Sequence, residues 1–81
     1  MRITVKLFAI LREKAGLQQL DLELNDGATV SDAAGLLAHR IDSIAKYLDR
    51  VAFAVNREYV PKSTALSDGD ELAIIPPVSG G

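Results

Sequence analysis

Apolar and polar residues alternate in two places early in this chain, and a stretch of helical spacing separates them from more uniformly apolar strand patterns. Ile3, Val5 and Leu7 alternate with Arg2, Thr4 and Lys6, which predicts a strand with one buried face. From Phe8 to Ala15 the alternation is lost. Ala9, Leu11, Arg12, Glu13 and Lys14 all tolerate a helix, and Gly16 supplies a stop. Leu20, Leu22 and Leu24 alternate with Asp21 and Glu23 as a second strand, and Asn25-Asp26-Gly27 turns the chain. Ser31 reads as an N-cap, with Asp32 beside a helix N-terminus where negative charge is favoured. Ala33, Leu36, Leu37 and Ile41 then fall at helical spacing, so the main helix is expected from Asp32 to His39 or Arg40. A short further turn is expected over Ile44 to Leu48.

The second half reads as strands again. Val51, Phe53 and Val55 alternate with Ala52 and Ala54 rather than with charges, which predicts a strand buried on both faces and not at a sheet edge. Asn56-Arg57-Glu58 turns the chain into a short Tyr59-Val60 strand stopped by Pro61. Ser67-Asp68-Gly69-Asp70 is a further turn, and Glu71 to Ile75 is the last strand. The expected architecture is α+β, a mixed sheet of four to five strands packed on one main helix. Residues 1–75 form the domain, and residues 76–81 form an extended tail.

Composition agrees with one globular domain: 81 residues, 48% hydrophobic and 25% charged. Such a chain buries roughly 60–65% of its unfolded surface, so its stability is modest. The net charge of −2 argues against nucleic acid as a partner, because phosphate recognition needs a basic patch. No stretch suggests a signal peptide or a membrane span, and the cytoplasm is the default location. With no cysteine there is no disulfide and no thiolate.

Side-chain catalysis finds little support. One histidine, His39, stands near the end of the main helix, where it suits the last carbonyls. Asp68, Asp70 and Glu71 read as turn residues rather than a cation site, Glu23 and Asp26 as solvated charges, and no metal is expected. This chain is therefore not expected to be an enzyme on its own.

The remaining chemistry is at the end of the sequence, Pro76-Pro77-Val78-Ser79-Gly80-Gly81. Two prolines stiffen the exit from the last strand. Two glycines then leave the terminal carboxylate unshielded, on peptide units that fit a slot too narrow for a Cβ. Ionised at neutral pH, a carboxylate is a poor electrophile and must be activated. Adenylation by an ATP-using partner gives a mixed anhydride, and sulfide transfer to that anhydride gives a thiocarboxylate. The protein itself then binds no cofactor.

Three stretches make a closer match. They are Val5-Lys6-Leu7-Phe8-Ala9-Ile10-Leu11-Arg12-Glu13; Ala54-Val55-Asn56 followed by Thr64-Ala65-Leu66-Ser67-Asp68-Gly69-Asp70-Glu71-Leu72; and the Pro-Pro-Val-Ser-Gly-Gly ending. Through them, and over essentially its whole length, the chain resembles the small subunits of molybdopterin synthase, MoaD-type sulfur carriers with a ubiquitin-like β-grasp fold. The resemblance implies that Gly81, presented with Gly80, is adenylated by an E1-like enzyme and loaded with sulfur as a thiocarboxylate. A sulfurtransferase would be the sulfur donor. The loaded tail would enter the large synthase subunit and give sulfur to cyclic pyranopterin monophosphate, in a heterotetramer of two small and two large subunits. It also implies docking through an apolar sheet face at Phe8, Tyr59 and Ile75, with Arg12 as a polar contact and residues Pro76, Pro77, Val78 and Ser79 threading into the partner. The same tail chemistry would serve a carrier for thiamine thiazole or tRNA thiolation, or a ubiquitin-like modifier of lysines.

Overall fold

The computed structural model describes residues 1–77, and the order of elements follows from the patterns above. β1 (Arg2–Leu7) leads into α1 (Ala9–Ala15), β2 (Gln19–Glu23), α2 (Val30–Arg40), α3 (Asp42–Ala45), β3 (Ala52–Val55), β4 (Glu58–Val60) and β5 (Glu71–Ile75). The five strands form one mixed sheet in the order β2-β1-β5-β3-β4. The central pair, β1 and β5, is parallel, with Leu7 opposite Ile74; every other pairing is antiparallel. This is the α+β, ubiquitin-like β-grasp arrangement expected above.

One face of the sheet makes the core. Ile3, Val5 and Leu7 of β1, Leu22 of β2, Phe53 of β3, and Leu72 and Ile74 of β5 are buried in one cluster with Val30, Ala33 and Leu37 of α2 and Leu11 of α1. Each of the larger side chains contributes about 1.5–3 kcal/mol by leaving water. No polar or charged residue is buried among the described residues.

Local signals explain most element boundaries. Gly16 ends α1 at φ 76°, its N–H donating to the Arg12 carbonyl. The main helix starts earlier than the pattern suggested. Its cap is Thr29, not Ser31: the Asp32 N–H donates to Thr29 Oγ1 at 3.2 Å, and the Thr29 N–H donates to Asp32 Oδ2 at 2.8 Å. That reciprocal pair needs a hydroxyl three residues before the carboxylate, which Ser31 cannot supply. Ser31 is instead exposed, and its N–H donates to the Lys62 carbonyl. The second helical piece also differs. It spans Asp42–Ala45, and turns carry the chain on to Leu48.

Two expectations about the strands needed adjustment. Leu24 lies just past β2, its N–H donating to the Met1 carbonyl. β3 lies inside the sheet as expected, but it is not buried on both faces throughout, since Ala52 is exposed while Phe53 and Ala54 are buried. The Ser67–Asp70 segment is a turn, with Gly69 at φ 83° and Asp70 Oδ2 accepting from the Ser67 N–H. No helix among the described residues is long and apolar enough to cross a membrane.

Candidate functional site

The sheet face away from α2 carries the candidate site. Strand alternation puts Lys6, Glu71, Ala73, Ile75, Ala54 and Tyr59 on this face. Phe8 joins them because its backbone stays extended, at φ −127° and ψ 155°, continuing β1 by one residue. The parallel β1–β5 register then brings Phe8 and Ile75 side by side, one step beyond the Leu7–Ile74 pair. Ala9 follows at φ 49°, a left-handed conformation that turns the chain abruptly into α1. Phe8 is left 42% exposed and Tyr59 72% exposed, an unusual display for large apolar rings.

Together these side chains enclose an open groove of about 470 Å³. Ala54 and Ala73, paired across β3 and β5, make its floor. Phe8, Tyr59 and Ile75 stand at its sides, and Lys6, Glu71 and Arg57 at its polar margin. Lys6 Nζ lies 3.0 Å from Glu71 Oε1, so that pair is internally neutralised. Arg12 is exposed on α1 and lines a smaller neighbouring depression with Lys6, Phe8 and Gln18.

Phe8, Tyr59 and Ile75 thus line one groove, with Arg12 in the depression beside it. Pro76 is half-buried and Pro77 exposed directly after β5, so the chain leaves the sheet at the Phe8 and Ile75 end of the groove. Val78, Ser79, Gly80 and Gly81 lie outside the described residues. The sequence reading missed the groove's floor and margin: Ala54, Ala73, Lys6, Glu71 and Arg57. Alternation from Ile75 back to Ala73, and from Phe8 back to Lys6, was the signal available. Ala54 needed the β3–β5 register.

A polar brace fixes the margin. The Asn56 amide donates to Asp70 Oδ1 at 3.0 Å, and Asn56 Oδ1 accepts from the Glu71 N–H at 3.0 Å. The β3–β4 turn is thereby tied to the start of β5. At the opposite sheet edge, Arg2 donates to Glu23 Oε1 at 3.0 Å. That bond, with the charges of Glu23, Asp21 and Asp68, holds the guanidinium above its ordinary pKa. This cluster lies away from the groove. His39 is exposed in the last turn of α2 and takes no part either.

A small β-grasp body with an apolar outer face and a chain exit beside it defines a ubiquitin-like carrier scaffold. The ThiS family model matches residues 5–81, so the chain belongs to the ThiS family. It is 48% identical over 86 residues to the molybdopterin synthase sulfur carrier subunit of Chlamydomonas reinhardtii, with all of both chains covered. It is 38% identical over 81 residues to the subunit of the same name from Arabidopsis thaliana, covering 100% of this chain and 84% of the other. Among solved structures, small archaeal modifier protein 1 of Haloferax volcanii superposes with a TM-score of 0.92 at 32% identity, covering 100% of both chains.

Proposed function

We propose that this chain is the sulfur carrier subunit of a molybdopterin synthase and that its reactive group is the Gly81 carboxylate. The observation that carries this is the full-length similarity to carrier subunits, joined to an exposed apolar groove at the root of the Pro76-Pro77-Val78-Ser79-Gly80-Gly81 tail.

The division of labour follows from physical chemistry. The body offers a groove and buries no titratable side chain among the described residues. Perturbed acids and bases of the kind that serve catalysis are therefore to be supplied by partners. An E1-like enzyme joins the Gly81 carboxylate oxygen to the α-phosphorus of ATP, releasing pyrophosphate. A sulfur donor's sulfide-level sulfur then attacks the acyl carbon and expels AMP, leaving a thiocarboxylate. In the large synthase subunit this sulfur attacks a side-chain carbon of cyclic pyranopterin monophosphate and displaces the oxygen there, which leaves as water or on the phosphate of the opened cyclic ester. Water then cleaves the acyl–sulfur bond, leaving the sulfur on the pterin and restoring the carboxylate. Two such transfers build the dithiolene. The groove docks the partner while the two glycines let the terminus enter a narrow channel. The cytoplasm, with its ATP, is the compartment for these steps.

Intact mass spectrometry after incubation with the activating enzyme, ATP and a sulfide source tests this. The expected gain corresponds to one oxygen replaced by sulfur, mapped to Gly81. No gain contradicts it.

The Haloferax volcanii likeness favours a second reading, a lysine modifier. The same adenylate would then acylate an ε-amine. Gly-Gly remnants on lysines in digested cell extract, lost when this gene is deleted, would support that reading over the first.

A further inference from the structure

The β3–β4 hairpin closes through two residues, Asn56 at φ 50° and Arg57 at φ 73°. Two central residues at positive φ are the hallmark of a type I′ turn, whose twist matches the flanking strands. Asn suits the first position and Gly the second. Asn56 conforms and adds the brace to Asp70 and Glu71. Arg57 does not conform, since a long side chain at φ 73° crowds its own backbone. Backbone strain of this kind persists where the side chain has another use.

The position of Arg57 suggests what that use is. Its side chain is exposed and lines the groove at the Glu71 end, whereas Phe8 and Ile75 mark the end where the tail leaves. Lys6 already neutralises Glu71. Arg57 forms no ion pair among the described residues, and neither does Arg12 beyond Phe8. One unpaired guanidinium therefore stands at the Glu71 end of the groove, and a second lines the neighbouring depression beyond Phe8. The whole chain carries a charge of −2, so this local positive margin runs against the molecule's average.

Resting on the carrier reading, we infer that Arg57 is a specificity-determining residue that pairs with a carboxylate on the large synthase subunit, bordering the apolar group that fills the groove. Paired with Arg12, it sets the register in which the subunit lies along the groove and so aims the tail. A guanidinium suits this because its planar fork binds a carboxylate through two hydrogen bonds. A charge at the rim acts mainly on association rate and partner choice.

The test uses the full-length chain and the molybdopterin synthase large subunit from the same genome, with association followed by surface plasmon resonance. Arg57→Gln keeps the strained turn and removes the charge. It is expected to slow association about three- to tenfold at low ionic strength. The gap should close at about 1 M salt, where the screening length falls to about 3 Å. Arg57→Lys should hold the wild-type association rate within about twofold, because it keeps the charge, yet dissociate faster, because it loses the two-bond fork. Arg40→Gln, a charge removed from the last turn of α2, should leave the association rate unchanged. Arg57→Gly is expected to bind as poorly as Arg57→Gln yet melt about 2–5 °C higher than wild type, because glycine relieves the turn. Equal association by wild type and both neutral variants overturns the inference, as does a lower melting temperature for Arg57→Gly, which would assign Arg57 to internal support. Failure of the wild-type chain itself to bind overturns the carrier reading, and the inference with it.

Discussion

Ala54 and Ala73 face each other across the β3–β5 ladder, and their methyl groups form the floor on which the exposed rings of Phe8 and Tyr59 open. Larger residues there would fill the groove from below. Small side chains on this face carry the docking role as much as the rings do. Ala73→Val puts a strand-favouring residue on the face away from the core, so stability should change by less than about 1 kcal/mol. Affinity for the large subunit should fall at least about tenfold, because the partner's group no longer seats. Calorimetric titration alongside a thermal melt checks both halves.

The neighbours Ile74 and Ile75 point to opposite faces and should separate folding from docking. Ile74 is fully buried in the core, and Ile74→Ala should cost about 2–4 kcal/mol of stability. Ile75 is half-buried beside Phe8, and Ile75→Ala should cost less than about 1 kcal/mol while weakening partner binding. Denaturant melts of the two variants, set against their binding isotherms, check the contrast.

The capping box predicts a third outcome. Thr29→Ala removes the hydroxyl that accepts from the Asp32 N–H, and should cost about 1 kcal/mol. Ser31→Ala, at the position the sequence pattern favoured, should change stability by less than about 0.5 kcal/mol, because Ser31 makes only a backbone bond there. Reversal of that order in urea denaturation would contradict the assignment of the cap.

Hydrophobic alternation revealed most of the fold because the core side chains of β1 and β5 fall on every second position. Ile3-Val5-Leu7 and Leu72-Ile74 were readable for that reason. The helix start was not, because Thr29 and Ser31 are both competent caps and only the bond to Asp32 distinguishes them. The candidate site was partly legible. Phe8, Tyr59 and Ile75 came from family resemblance, supported by alternation at Phe8 and Ile75. The alanine floor and Arg57 depend on which strands pair and on a positive φ, neither of which local pattern encodes.

A fourth prediction concerns the tail. Gly81→Val adds a β-branched side chain at the proposed acyl carbon's own residue, where a narrow channel has no room for it. Sulfur loading should drop below detection. The melting temperature should match wild type, because the core cluster lies within residues 3–74. Mass spectrometry of the loaded product and a thermal melt check the two expectations.

Reconstituted synthesis tests the central claim most directly. Wild-type chain, activating enzyme, ATP, sulfide, large subunit and cyclic pyranopterin monophosphate are combined, and molybdopterin is measured as its fluorescent oxidation product. The account predicts product with the wild-type chain and none with a chain lacking Gly80 and Gly81, although that shortened chain still occupies the large subunit's docking site. Undiminished product from the shortened chain would contradict it.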